Sequence, residues 1–560
     1  MRDTRRHNQI IDHRSSGRMQ IDYQRELAEF EWDIPEGYNL PAVIESHAAA
    51  FGDRLAVQFR DDDGNEARRR FADLRDDMNR FANALESLGV GEGDRVMHLL
   101  PRHPDVFAIQ LGALKRGAIL VPCSAMLKPK DIQFRANDCE ATTIVCHDEL
   151  TDMVEAVADE TPLDTMVVLG GSRMGEWESF GTLIDGESTE HDGPDIGPQS
   201  PMSINYTSGT TGQPKPVLHR HRWMHCFERV NGRYWWGVEE GMDFEDELLW
   251  ATTGTGWAKW FWSPVGVALT TGAPQFVYRG DFDPETFLSL LESEGVTRLC
   301  AVPTQYRMFT QVDDMADYDL SLKQTLSAGE PLNREPIQAF EEAFDVTPRD
   351  GYGQTETVAL VTNYPGIDVK PGSMGKPTPG LGTTIIDTVD EEEVERGEIG
   401  EVAVPVDSPA IFDGYFEKPE LDERTFSGAY YRTGDLASED EDGYFFFEGR
   451  ADDIIISSGY RIGPFEVEDA LVGHPAVAEA AAVGSPHDER GNVVKAYVIL
   501  AEGYDGNDEL VEELQEYMKE ETAPYKYPRR IEFVDELPKT SSGKIRRIEL
   551  RDREMSKFGD

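Results

Sequence analysis

An α/β protein in two unequal parts is what the sequence predicts: a large N-terminal domain of layered α/β sheets, then a small α+β C-terminal domain. Three observations lead there. The chain has 560 residues, too many for one compact core. Short β-branched runs alternate with helical patterns through most of its length, which implies helices layered on largely parallel sheets. After Arg450 the texture changes to a compact unit of about 110 residues, enough for a small domain. The expected boundaries are an N-terminal extension at 1–25, the large domain at 26–451 and the small domain at 452–560, hinged at Asp452.

Residues 74–89 read LRDDMNRFANALESLG. Leu74, Met78, Phe81, Ala82, Leu85 and Leu88 fall at helical spacing, and Gly89 supplies the stop. Arg95–Leu100 follows as a β run, then a further helical segment, then strands at Ala118–Cys123, Thr142–Cys146 and Met166–Leu169. In the small domain, helices are expected at Phe465–Leu471 and Glu509–Lys519, and strands at Val477–Val483, Val493–Leu500 and Ile531–Val534.

Composition narrows the function classes. An apolar share of 39% with 10% aromatics suits a globular chain. No run approaches about 18 uninterrupted apolar residues, so no membrane span is expected. The first twenty residues lack the apolar centre of a secretory signal. Their Arg and Ser content resembles a transit segment, but Asp3 and Asp12 speak against one, and a true start at Met19 fits as well. The cytoplasm is the expected compartment. The five cysteines contain no C-x-x-C pair, so buried free thiols are expected in place of a disulfide framework or zinc site.

Charge is the extreme property: 54 basic against 106 acidic residues, a net −52. Nucleic-acid binding needs a basic face, so that class is excluded. The acidic residues are spread along the whole chain, which makes the charge a property of the entire surface. At about 1 M salt the Debye length falls to about 3 Å and the self-repulsion fades. The expectation is adaptation to a salt-rich cytoplasm, as in a halophile.

Chemistry first shows in residues 202–217, MSINYTSGTTGQPKPV. The apolar run Met202–Tyr206 leads into Thr207, Ser208, Gly209, Thr210, Thr211, Gly212 and then Lys215. Two glycines let successive N–H groups turn inward as an anion nest. The hydroxyls add donors and Lys215 adds positive charge for a phosphate. The spacing is not that of the usual nucleotide P-loop.

YTSGTTGQPK closely resembles the signature loop of the adenylate-forming superfamily, which includes acyl-CoA synthetases, luciferases and peptide-synthetase adenylation domains. The resemblance continues in order. SAGEPLN (Ser327–Asn333) and DGYGQTET (Asp350–Thr357) look like its adenine-binding segments, and YRTGDL (Tyr431–Leu436) like its ribose motif. GRADDIIISSGYRI (Gly449–Ile462) looks like the hinge motif and PKTSSGK (Pro538–Lys544) like the catalytic-lysine loop. Longer stretches, PRHPDVFAIQLGALKRGAILVP (101–122), SSGYRIGPFEVEDALVGHPAV (457–477) and TAPYKYPRRIEFVDELPKT (522–540), resemble the medium-chain acyl-CoA synthetases of butyrate–CoA ligase type.

The resemblance implies the adenylate-forming fold with a mobile C-terminal domain, and an ATP-dependent acid–CoA ligase. Such an enzyme forms an acyl-adenylate and then acyl-CoA, releasing AMP and pyrophosphate, and uses ATP, Mg²⁺ and coenzyme A. Carboxylate attack on the α-phosphorus brings two anions together, so positioning and charge neutralisation are the task. Glu356 is implied as the Mg²⁺ carboxylate, with Thr355 and Thr211 as donors on the phosphate or metal side. Asp435 would accept from both ribose hydroxyls, with Arg450 beside ribose or phosphate oxygens. Gly329, Glu330 and Pro331 would pack on the adenine, with Asp350 near its amino group and Gly351, Tyr352 and Gln354 in the same segment. Lys544 is the implied catalytic cation, bridging carboxylate and α-phosphate. Rotation about Asp452 would then exchange it for a CoA tunnel lined by Ser458, Gly459 and Arg461, with Arg490 and Lys519 toward the CoA phosphates.

Acetate-specific relatives carry a Trp immediately before QTET, where this chain has Gly353. Exchanging an indole for hydrogen is expected to open room for several carbons, each worth about 0.8 kcal/mol when buried. A medium-chain, branched or aromatic acid is therefore expected, with Trp257 and Val302 on the walls, and Trp260 and Trp262 as ordinary packing. The segment Gly232–Phe261, with its acidic insert, departs from the relatives beside this pocket. An acetate or propionate ligase is the alternative within the class. Two rivals lie outside it. A carrier-protein loader or luciferase is disfavoured because the chain ends 16 residues after Lys544. A catalytically dead nucleotide binder would have lost Lys544, Glu356, Asp435 or Arg450. His219, His221 and His225 cluster after the loop, and a helix, packed or solvated, is expected there over metal ligation.

Overall fold

The computed structural model describes residues 21–171, 175–207, 213–330, 332–426, 428–451, 453–458, 460–487, 490–539 and 545–558. Among these, three sheets carry the architecture. The first has seven strands in the order Trp177–Ser179, Thr165–Leu169, Thr143–His147, Arg95–Leu99, Ile119–Cys123, Pro201–Thr207, Lys215–Arg220. All pair in parallel except the last two, which form an antiparallel hairpin with Thr207 opposite Lys215. The four neighbouring strands from Thr165–Leu169 to Ile119–Cys123 are buried at all or all but one position, as befits a parallel sheet covered on both faces.

The expected helix runs Phe71–Ser87, three residues earlier than its periodic pattern begins, and Gly89 follows at φ +87°. Its partner is Val106–Lys115, buried along nearly its whole length. The contact is close: a Cβ on Gly112 would lie 2.9 Å from Phe81.

The second sheet has thirteen strands and bends from parallel to antiparallel midway. Leu249–Ala251, Arg298–Ala301, Gln324–Ala328 and Pro348–Gly353 run parallel. Beyond them Ala359–Thr362, Ser373–Pro377, Phe445–Arg450 and Tyr430–Glu439 pair antiparallel. Two segments, Phe227–Trp236 and Phe261–Leu269, wind as wide π-type helices around buried tryptophans, which no periodicity announces. Cys123, Cys139, Cys146, Cys226 and Cys300 are buried free thiols. No described helix is long and apolar enough to cross a membrane.

The third sheet lies within residues 455–533. Val477–His487 and Gly491–Leu500 form its long hairpin, and Arg530–Phe533 adds in parallel. Helices Pro464–Val472 and Asp508–Glu521 cover it, within a residue or two of the expected spans. A helix that the sequence reading missed, Arg547–Phe558, closes the chain. Its Glu554 is fully buried and accepts from Ser485 (2.6 Å), Tyr497 (2.6 Å) and Lys495 (2.8 Å).

Candidate active site

The site is built where strand ends of the second sheet meet the hairpin of the first. Parallel pairing places Ala328 opposite Gly351 and Ser327 opposite Asp350. Two chain stretches therefore leave the sheet side by side, one as Gly329–Glu330 and the other as Gly351–Glu356. Gly329 sits at φ +111°, a conformation that only glycine adopts without strain. A third stretch arrives by antiparallel pairing, which sets Asp435 opposite Arg450.

Asp435 is buried within a bracket. Its Oδ2 accepts from the Tyr352 hydroxyl at 2.7 Å and from Gln354 Nε2 at 2.5 Å, and Arg450 Nε stands 3.3 Å from Oδ1. Gln354 is itself fixed: its amide donates to Thr433 O (2.7 Å) and its oxygen accepts from Tyr431 (2.8 Å). Burial and the adjacent Asp435 push the Tyr352 phenol well up, so it remains a donor. The orientation of this carboxylate is thus set before any ligand arrives.

Glu356 is buried too, and its Oε1 accepts from Tyr415 at 3.3 Å. Burial raises its pKa above the ordinary carboxylate range, against the pull of Tyr415, Lys215 and Arg450. The Lys215 ammonium lies 5.3 Å from the centre of the Tyr415 ring. The preceding carbonyl, Thr355 O, accepts from His219 at 2.7 Å. One enclosed carboxylate beside a phosphate-loop lysine suits Mg²⁺, which keeps waters and phosphate oxygens as its other ligands.

Thr207, Lys215, Gly329, Glu330, Asp350, Gly351, Tyr352, Gln354, Thr355, Glu356, Asp435 and Arg450 therefore belong to adjoining strand ends and loops. The Asp350 carboxyl is buried with Oδ1 unpartnered, and burial raises its pKa well above normal. Glu330 turns toward helix Pro303–Phe309, where Thr304 donates to it at 3.3 Å and Arg307 lies at 3.8 Å. Ser208, Gly209, Thr210, Thr211, Gly212, Pro331, Asp452, Gly459 and Lys544 lie outside the described residues, as does the Arg461 side chain. Ser458 and Arg490 meet: the Ser458 N–H donates to Arg490 O (3.0 Å), and Arg490 reaches Ser458 Oγ (3.3 Å). Lys519 is engaged elsewhere, 2.6 Å from Glu516 and over the Tyr527 ring.

The room expected at Gly353 is filled. A Cβ there would lie 2.2 Å from Val358 O and 2.6 Å from Trp262 Cη2. Trp262, expected as ordinary packing, supplies from a π-type helix the bulk missing from position 353, and Trp235 presses on Gly351 in the same way. Trp257 and Val302 are both half-buried. Sequence reasoning missed Tyr415, Tyr431 and Thr433 as partners of the motif residues, and Lys259, whose ammonium reaches Ala328 O at 3.1 Å. Only Tyr431 and Thr433 carried a signal, through their place in YRTGDL.

The histidines after the loop do not share the expected helix: His219 lies on the strand Lys215–Arg220, His221 precedes the helix Arg222–Cys226, and only His225 is within it. His219 stacks on Trp223 with centroids 3.5 Å apart, His221 Nδ1 accepts from the Leu40 N–H, and His225 meets Tyr38 edge-on. Burial lowers the His219 and His221 pKa values to about 3 and that of His225 to about 4.

Comparison with known proteins agrees with this geometry. The AMP-binding enzyme family matches residues 44–416, and the AMP-binding enzyme C-terminal domain matches residues 466–544. YtcI of Bacillus subtilis strain 168, an uncharacterised acyl–CoA ligase, is 43% identical over 93% of this chain and 97% of its own. The mitochondrial acyl-coenzyme A synthetase ACSM3 of Mus musculus is 40% identical over 95% of this chain and 93% of its own. Among solved structures, the anthranilate CoA ligase AuaEII in complex with anthranoyl-AMP superimposes with a TM-score of 0.85 at 30% identity, covering 94% of this chain and 99% of that one. With two thirds of its length matched to one family and relatives at 40–43% identity along almost all of it, the chain belongs to the AMP-binding enzymes, as one of their acyl-CoA synthetases.

Proposed function

We propose that this acyl-CoA synthetase activates a medium-chain, branched or aromatic carboxylic acid as its adenylate and passes the acyl group to coenzyme A in the cytoplasm. The observation that carries the proposal is the bracket on Asp435, set beside the Glu356 and Lys215 corner. A carboxylate held by Tyr352, Gln354 and Arg450 offers fixed acceptors for two ribose hydroxyls. Lys215 and the loop after Thr207 would receive the phosphates. Glu356 would hold Mg²⁺, which when bound neutralises charge on the phosphate oxygens. Lys544 would approach the α-phosphate from the C-terminal side during adenylation, and the surface around Ser458 and Arg490 would meet CoA afterwards. The anthranilate ligase among the neighbours supports an aromatic acid.

A short acid is the second reading, and Trp262 favours it, because its indole fills the space beside Gly353. One experiment separates the two: AMP release measured in molar KCl with CoA and acids from acetate to decanoate, branched and aromatic acids included. The proposal expects the highest kcat/KM beyond propionate, with Trp262→Gly moving the optimum to longer acids. An optimum at acetate or propionate would establish the second reading. No AMP release with any acid would remove both.

A further inference from the structure

We propose that Asp138 is a positioning residue for ATP, tying the stem of the phosphate loop to the segment that braces Glu356. The inference rests on the ligase reading above. Asp138 ends helix Pro129–Asp138 and belongs to none of the motifs. Its two oxygens are divided between two partners. Oδ2 accepts from the Tyr206 hydroxyl at 2.8 Å, and Oδ1 accepts from the Lys418 ammonium at 2.7 Å. The carboxylate is 12% exposed, and the Arg135 guanidinium covers the Tyr206 ring at 5.2 Å. Burial, with Cys139 and Asp138 beside it, pushes the Tyr206 phenol up, so the hydroxyl stays a donor.

Each partner leads to the phosphate end of the site. Tyr206 directly precedes Thr207, which pairs with Lys215 as the last rung of the hairpin before the loop. Lys418 ends a segment laid along the strand Lys215–Arg220. There Leu218 N–H donates to Gly414 O (2.9 Å), Asp413 N–H to Leu218 O (2.8 Å) and Phe416 N–H to Pro216 O (2.8 Å). The same segment holds Glu356 twice, through Phe412 N–H to Glu356 O (2.8 Å) and through the Tyr415 hydroxyl. Asp138 therefore closes a ring that runs from the loop stem to Glu356 and back. Charge-assisted bonds at both oxygens make it a stiff link. Lys215 and Glu356 would meet different parts of one triphosphate, so their spacing decides how well ATP is seated.

The test uses the full chain with Asp138→Asn, Tyr206→Phe and the double variant. Acid-dependent ATP–pyrophosphate exchange is measured alongside thioester formation from supplied acyl-adenylate and CoA. The expected result is an ATP KM raised about tenfold in each variant, with the acid KM within about twofold and the acyl-adenylate reaction unchanged. The double variant should be no worse than the worse single one, because both changes break the same ring. An unchanged ATP KM overturns the inference. So does an equal rise in the ATP and acid KM values together with a lower unfolding temperature, which marks a merely structural role. Wild-type chain that binds ATP without acid-dependent exchange overturns the ligase reading alone. In that event the ATP Kd of the same variants decides for or against Asp138.

Discussion

Asp435 and Glu356 are two enclosed carboxylates in one site, and their neighbours give them different work. Asp435 is met by two neutral donors and a guanidinium that fix its direction. Glu356 accepts from the Tyr415 phenol, and burial raises its pKa, because its charge lacks the close partner that a bound cation would supply. Residues of this kind were legible through the resemblance of the strings that hold them, DGYGQTET and YRTGDL, to known motifs. Tyr415 was not legible: it meets Glu356 across 59 positions of sequence, in a stretch without a pattern. Nor was the role of Trp262, since nothing in the sequence says which indole will fill the space beside Gly353. Lys544 carries the sharpest residue-level expectation. Lys544→Ala should cut adenylation by about 10³-fold or more, while thioester formation from supplied acyl-adenylate stays largely intact. Equal loss in both half-reactions would refute its assignment to the first.

Among the elements, the β-branched runs of the first sheet and of the C-terminal hairpin came out within a few residues of expectation, because period and burial agree there. The π-type helices and the antiparallel half of the large sheet did not. Their strands are short and mixed, and their pairing is set by long-range register. The terminal helix Arg547–Phe558 escaped notice because its mostly charged sequence reads as surface. It is fastened by one buried group, Glu554. Burial alone would raise that pKa, but bonds from Lys495, Ser485, Tyr497 and Lys557 prevail and hold it at about 2. A depressed carboxyl pKa stabilises the fold above the unfolded value of about 4.3, and that contribution drains away as pH falls toward about 2. Glu554→Ala, which takes from the buried Lys495 ammonium one of its two carboxylate partners and leaves it Glu532, should destabilise this part by about 1.5–3 kcal/mol at neutral pH. Hydrogen exchange across residues 477–500 reads the effect; protection equal to wild type would exclude it.

For the whole molecule, charge dominates. A net −52 spread along 560 residues repels itself in dilute buffer. The unfolding temperature should rise by about 10 °C or more between dilute buffer and molar KCl, as screening shortens the reach of each charge to about 3 Å. A flat profile would remove the case for adaptation to a salt-rich cytoplasm. The sheet architecture has a consequence in time as well. Thr207, Glu356, Asp435 and Arg450 stand on stretches separated by up to 243 positions, and the last of them closes the bracket. On the proposed reading, a growing polypeptide would offer no complete seat for a nucleotide until Arg450 has left the ribosome. During synthesis, ATP would then act on chains that have passed Arg450 and not on earlier fragments.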